Sequence, residues 1–368
     1  MGEVLSRRAL NRATLDRQLL LRRARMDAAQ AVEHLVGLQT QVPHNHYTAL
    51  WSRLEGFDAE DFSARFERRE FVRLGLLRGT IHTVTARDAL ALRPLFDVLL
   101  TRVLKSSFGK PLASVDLAKA AERARVLVEE EPRTFSEIGK ELLADWPESR
   151  PQALGMVARH LLAMVQVPPR GLWQQGGLSR HTTLQHWLGA ELPEQAAPDD
   201  LVMRYLAAFG PASVRDAQAW SGLTRLSEVV ERHRHELVTF RDENGVELFD
   251  LPDAPRPGED VPAPARFLPE YDNVFIGHKD RTRIYSDEAA RAVWPTNVEY
   301  PVFLSDGFVQ GSWSIDTDRK RTHAALTIRP FAGLPPAQRA ELEREGAALL
   351  GFHAPGADHD IDWGIHGE

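Results

Sequence analysis

At 368 residues the chain exceeds what one hydrophobic core ordinarily organises, since single cores stop growing at roughly 250 to 300 residues, so several domains are expected. Its 43% hydrophobic and 26% charged residues fit a globular protein, and its apolar runs are interrupted by charge too often for a membrane span. The absence of cysteine excludes a disulfide framework, a thiolate zinc site and a cysteine nucleophile, and a net charge of −7 argues against coating nucleic acid through bulk charge.

That charge is unevenly spread. Residues 1–30 hold Arg7, Arg8, Arg12, Arg17, Arg22, Arg23 and Arg25 against Glu3, Asp16 and Asp27, a surplus of four positive charges that leaves −11 for the remainder. These arginines either build a local basic face or only solvate an amphipathic helix. The opening MGEVLSRRALNRATL lacks the unbroken apolar core of an export signal, so a cytoplasmic location is expected.

In chain order, leucines at helical spacing predict a helix over 11–24, and a second apolar-periodic stretch covers 28–38. After Pro43, HYTALWSRLEGF and DAEDFSARFERREF continue as helix, and VRLGLLRGTIHTVT reads as a hairpin turning at Arg78-Gly79. Residues 87–104 return to helix. The outline repeats: a helix over 116–130, a Thr134 cap with Glu137 before EIGKELLADW, a helix over 151–165, and the strand-like VQVPPRGLW. A third copy has Asp199 and Asp200 capping LVMRYLAAFG, then SVRDAQAWSG, RLSEVVERHRHEL and a hairpin about Asn244-Gly245, the strongest short hairpin signal available. The proline-rich PDAPRPGEDVPAP reads as a linker. FLPEYDNVFIG, RTRIYSD, YPVFLSDGFVQGSWSID and THAALTIRPF then read as short strands of a small antiparallel barrel or sheet, closed by a helix over 335–350. The expected class is therefore α+β: tandem winged-helix (helix-turn-helix) domains over 1–115, 116–196 and 197–255, then a β-rich, barrel-like domain over 262–368.

Three clusters are candidates for chemistry. Gln39 and Gln41 flank Thr40 where the second helix should end, because Gly37 weakens the helix and Pro43 biases Val42 towards extended backbone. In extended chain both amides project to one side, and an amide can orient a water although it is no strong base. This suits only a substrate already activated; the plainer alternative is two solvated glutamines. His44 and His46 could share a metal, but no third ligand is nearby, so contact with a phosphate is preferred and no metal is expected. The tail HAPGADHDIDW could hold a divalent cation, or be a polar terminus docked by Trp363. Besides these clusters, Arg319, Lys320 and Arg321 sit on a hairpin tip, where cations either meet phosphates or are simply solvated. No phosphate loop, dinucleotide fingerprint or GxSxG elbow occurs, which removes kinases, nucleotide-driven motors, Rossmann dehydrogenases and ordinary esterases.

The stretches LNRATLDRQLLLRR, AVEHLVGLQTQVPHNHYTALWSRL, LLRGTIHTVTARDALALRPL, VQVPPRGLW and LPEYDNVFIGHKDRTRI resemble the bacterial winged-helix DNA glycosylases of the AlkZ and YcaQ type across nearly the whole chain. The resemblance implies tandem winged helices with a C-terminal β-barrel and removal of bulky or crosslinking alkyl adducts. In that family two polar residues flanking an aliphatic one carry catalysis, and the matching positions are Gln39 and Gln41, with Thr40 in place of the aliphatic residue. The doubled glutamine resembles the AlkZ branch, associated with self-resistance to DNA-alkylating natural products.

The resemblance therefore implies a monofunctional glycosylase for N7-alkylguanine in double-stranded DNA. No cofactor is needed, because the cationic base leaves readily. Arg22, Arg23, Arg25, His44, His46, Arg319, Lys320 and Arg321 are the expected DNA contacts. A monomer is expected, associated with the nucleoid through DNA and with no membrane. Two other classes use the same features: a winged-helix transcription regulator, which would prefer one sequence over a lesion, and a metal-dependent nuclease, which chelator would silence.

Overall fold

The computed structural model describes residues 3–194, 196–286, 289, 291–292 and 300–364. Helix α1 (Arg7–Arg17) starts at Ser6, whose hydroxyl accepts from the Ala9 N–H, and α2 (Ala28–His34) starts at a capping box formed by Asp27 and Gln30. Past α2 the chain turns through Val36 and Gly37, both at positive φ, into the short strand β1 (Leu38–Gln39). Gly37 is required there: a Cβ would lie 2.6 Å from Val84 Cγ1 at a φ of +88°. Then come α3 (Asn45–Trp51), α4 (Ala59–Glu67), β2 (Phe71–Gly75), β3 (Ile81–Thr85), α5 (Ala86–Leu92) and α6 (Asp97–Phe108).

The second run is α7 (Leu117–Glu130), α8 (Phe135–Leu142), α9 (Pro151–Leu161), β4 (Met164–Gln166), β5 (His181–Thr183) and α10 (Leu184–Leu188). Thr134 and Glu137 form the expected capping box. In the third run α11 (Asp199–Phe209), α12 (Val214–Ser221) and α13 (Leu226–Arg232) precede the hairpin β6 (Val238–Arg241) and β7 (Glu247–Asp250), with Gly245 at positive φ in its turn. Asp199 and Asp200 do not cap α11: they lie in its first turn, where the helix dipole favours acid, and Asp199 pairs with Arg232 and His233.

The hairpins of the first two runs do not stand apart. Strands pair in the order β1-β3-β2-β4-β5, with Arg73 opposite Gln166 and Leu74 opposite Val165. One face of this sheet, through Val72, Leu74, Val84 and Val165, shares a core with Leu201, Tyr205, Phe209 and Trp220 of the third run.

The C-terminal part contains β8 (Arg266–Leu268), α14 (Asn273–Ile276), β9 (Val302–Ser305), β10 (Phe308–Thr317), β11 (His323–Pro330), α15 (Pro336–His353) and β12 (Asp358–Trp363). Two expected strands differ. In FLPEYDNVFIG only Phe267 and Leu268 pair, because Asp272 caps a helical turn, and 281–285 of RTRIYSD form a turn. The sheet runs β12-β11-β10-β9-β8, and among the described residues no pairing closes it. Nor is it wholly antiparallel: β12 lies parallel to β11, a register made possible by α15 crossing between them. The polar tail is thus an edge strand, and Trp363 donates to Glu343 on α15.

Arginine–aspartate pairs tie the first run to the later parts of the chain. Arg17 meets Asp250 of the third run at 2.6 Å, Arg53 meets Asp272 of the C-terminal part at 2.7 Å, and both pairs are buried. Each guanidinium binds its carboxylate through two nitrogens, the geometry that best offsets desolvation.

Candidate active site

Strand β1 brings the glutamine motif to the edge of the first sheet. Leu38 pairs with Thr83, Gln39 with His82, and the Thr40 N–H donates to Ile81 O, so the chain is extended through Gln39 and stays bonded to β3 at Thr40, while Gln41 lies at the bend that follows. Thr40 points inward. Its hydroxyl lies 3.1 Å from Thr83 Oγ1 and its carbonyl accepts from Arg73 Nη2 at 2.7 Å, so the polar residue at the family's aliphatic position is hydrogen-bonded where it is buried.

The flanking amides meet the turn between β2 and β3. Gln39, only 7% exposed, accepts from Arg78 Nη2 at 2.5 Å through Oε1. Gln41 is exposed and accepts from the Ile81 N–H at 3.4 Å, again through Oε1. Because a guanidinium and a backbone N–H only donate, both oxygens are fixed towards the turn, and each NH2 group is left to face elsewhere. Arg78 is held in turn. It sits at positive φ, donates to the Trp220 carbonyl, and packs on Gly222, where a Cβ would lie 3.1 Å from the Arg78 Cα. Beside Gln39, His82 is buried, and its pKa is pushed down to about 3 by burial and by Arg78, so it is neutral at physiological pH. Arg78, His82 and Arg73 carry no motif signal. Only their places across β1, β2 and β3 join them to Gln39.

Around the motif, the loop after β4 and the β10–β11 hairpin converge. His44 Nε2 lies 2.9 Å from Gln175 O, Thr48 Oγ1 lies 3.1 Å from His353 Nε2, and the His353 carbonyl accepts from Arg321 Nη2 at 3.2 Å and Gln174 Nε2 at 3.4 Å. The chain just past Gln41 is therefore linked by contacts to the hairpin tip, where Arg319, Lys320 and Arg321 are all exposed.

Other expected contacts differ. His46 is fully buried, bonded to Thr83 Oγ1 and Gly171 O and stacked on Phe66 at 5.2 Å, so it is a core residue that no phosphate reaches. His44 is half-buried, and burial pushes its pKa down, so near neutrality it offers a neutral imidazole rather than a cation. Among the N-terminal arginines, Arg8 and Arg12 pair with Asp306, Arg17 with Asp250, Arg25 with Glu55 and Arg23 with Glu345. The positive surplus of residues 1–30 is thus largely consumed by acids from elsewhere in the chain. Arg23 also lies over the Trp51 ring. Arg22 and Arg25 remain exposed, lining a cleft with Asp16, His34, Glu55 and Pro255 that includes none of the residues about Gln39 and Gln41. Among the described residues no three His, Asp or Glu side chains are placed to share a metal ion, and no helix is long and apolar enough to cross a membrane.

Comparison with known proteins bears on this geometry. Residues 32–352 match the family described as "DNA glycosylase AlkZ-like". The structure is similar to that of Streptomyces sahachiroi DNA glycosylase AlkZ, with 20% sequence identity, a TM-score of 0.78, and coverage of 98% of this chain and 100% of that one. At that identity the likeness concerns the fold. No curated protein sequence matches.

Proposed function

The chain belongs to the AlkZ-like DNA glycosylase family, and from that premise we propose that it hydrolyses the N-glycosidic bond of bulky or crosslinked N7-alkylguanine in double-stranded DNA, without strand cleavage, in self-resistance to a DNA-alkylating natural product. Gln39 and Gln41 are the catalytic residues in this reading. It has the protein act as a monomer in the cytoplasm, bound to DNA through three winged-helix units over 1–115, 116–196 and 197–255 and a barrel-like domain over 262–368.

The observation that carries the reading is the anchoring of both amide oxygens on one strand turn, Gln39 by Arg78 and Gln41 by Ile81. An amide oxygen has two lone pairs, so each still accepts one hydrogen bond from a water, and each NH2 donates towards the sugar or the departing base. Alkylation at N7 has already made the base a good leaving group. What remains for the protein is to hold the water and stabilise an oxocarbenium-like sugar, which fixed dipoles do without reorganising. Arg319, Lys320 and Arg321 supply cations for the phosphates on the side of the motif where Gln174 and Arg321 share the His353 carbonyl.

Incubating the protein with a duplex carrying 7-methylguanine, with EDTA present, and measuring free base tests the reading. Release with an intact abasic strand is expected. Sequence-specific binding without release would favour a regulator, and chelator-sensitive strand cleavage a nuclease.

A further inference from the structure

Buried arginines in this protein are generally matched with carboxylates: Arg12 with Asp306, Arg17 with Asp250, Arg53 with Asp272 and Arg93 with Asp97. Three arginines break the pattern: Arg283, which donates to Thr14 Oγ1 and the Pro211 carbonyl, and, together at another place, Arg73 and Arg159. Neither Arg73 nor Arg159 forms an ion pair with any described residue, yet Arg73 is 2% exposed and Arg159, on α9, is half-buried beside the Phe135 ring. Burial pushes Arg159 down with no opposing charge, and Arg73 is pushed down to about 10 by burial and by Arg170. Arg73 spends its N–H groups on Thr40 O and on Gln166 Oε1.

Both arginines line one pocket with Gln166, Phe135, His181 and Ile81, and no carboxylate lines it. His181 stacks on Phe135 at 4.1 Å, and burial pushes its pKa down to about 3, so it does not add an anion-neutralising partner of its own. Ile81 is the residue whose N–H meets Gln41, which sets the pocket next to the motif. An enclosed group of cations with no counter-charge is costly unless a ligand brings the negative charge, and such unpaired groups in a cleft mark ligand sites.

Size decides what the ligand presents. The pocket holds about 30 Å³, room for a single oxygen-sized group, far below the roughly 300 Å³ at which small-molecule pockets begin. A purine ring does not fit. We infer that this pocket receives a non-bridging oxygen of a DNA phosphodiester beside the lesion, with Arg159 as the contacting cation and Arg73 as the fixed charge behind it. Arg73 also holds the Thr40 carbonyl, so the same charge that draws the phosphate positions the strand bearing Gln39 and Gln41. Seating this phosphate sets the register of the damaged strand against the two amides.

This inference rests on the glycosylase reading for its ligand, duplex DNA, and its test needs no excision. In the Gln39→Ala, Gln41→Ala background, binding is measured to 7-methylguanine duplexes that each carry one neutral methylphosphonate at successive positions. With Arg159 intact, one position near the lesion should weaken binding about tenfold, the size of one charge-assisted contact. Arg159→Ala should weaken binding to unmodified duplex by a similar factor, lower the salt slope by about one, and be indifferent to neutralisation at that position. Arg159→Lys, which keeps the charge without the fork, should fall between. The inference is overturned if Arg159→Ala binds as tightly as its parent, if the two losses multiply at every position, or if Arg159→Ala couples to removal of the guanine O6 and to no phosphate. Loss of excision by the wild type would instead overturn the glycosylase reading and leave these binding outcomes readable.

Discussion

Replacing Arg78 by alanine removes the guanidinium that fixes the Gln39 amide oxygen. The guanidinium contacts Gln39 Oε1 at 2.5 Å, and Gln39 is 7% exposed, so little water is at hand to replace it. A hydrogen bond to a charged donor is worth about 1.5 to 3 kcal/mol, and each 1.4 kcal/mol is a factor of ten in rate. If the whole of that energy holds the amide in its productive orientation, single-turnover excision of 7-methylguanine slows about ten- to a hundredfold in Arg78→Ala. Arg78→Lys should recover part of the loss, because an ammonium still donates but without the fork that also reaches Trp220 O. DNA affinity, measured separately by titration, should change by no more than a few fold, since the residue acts on the amide and not on phosphate. An excision rate for Arg78→Ala equal to wild type, in a variant with native circular dichroism, would refute the argument that this contact orients Gln39.

Burial leads to two stability predictions. Asp272→Ala strands Arg53 in the interior and should cost about 3 to 5 kcal/mol by denaturant titration, the range for breaking a buried pair; a loss below about 1 kcal/mol would mean that water reaches Arg53. His82 and His181 each have a folded pKa near 3 against about 6.5 unfolded, so between those values the unfolded chain binds the extra protons. Their contribution is complete above about pH 6.5 and falls with pH below it, by up to about 1.4 kcal/mol per pH unit for each histidine. The Tm should therefore decline from pH 6.5 to 4.5, and His181→Gln should flatten that decline; a Tm constant down to pH 5 would contradict the depressed values.

Local signals in the sequence are those that the structure repeats most closely. Thr134 with Glu137 and Asn244-Gly245 lie where a cap and a hairpin turn are formed, because their chemistry acts within a few residues. The glutamine strand is legible for the same reason: Gly37 and Pro43 bracket a segment free to extend. Long-range pairing is not. Nothing in VQVPPRGLW announces that β4 joins β2, nor in HAPGADHDIDW that β12 lies parallel to β11, since strand partners are chosen by packing across the whole chain. Charge misleads for a related reason. The N-terminal arginines read as a basic face or a solvated helix, but Arg12 and Arg17 are buried and bonded to acids more than 200 residues away in sequence, and Arg23 is held by Glu345. His46 shows the same limit: an alternate-position histidine beside the motif turns into the core once α3 begins at Asn45.

The central claim is that two uncharged amides, at the end of one strand and just past it, carry excision, and the most direct test compares base release by the wild type and by Gln39→Ala, Gln41→Ala from a 7-methylguanine duplex in EDTA. Each single variant should be on the order of a hundredfold slower than wild type, as for removal of one oriented amide, and the double variant only a little slower again, with DNA affinity nearly unchanged. Release by the double variant at the wild-type rate would contradict the account.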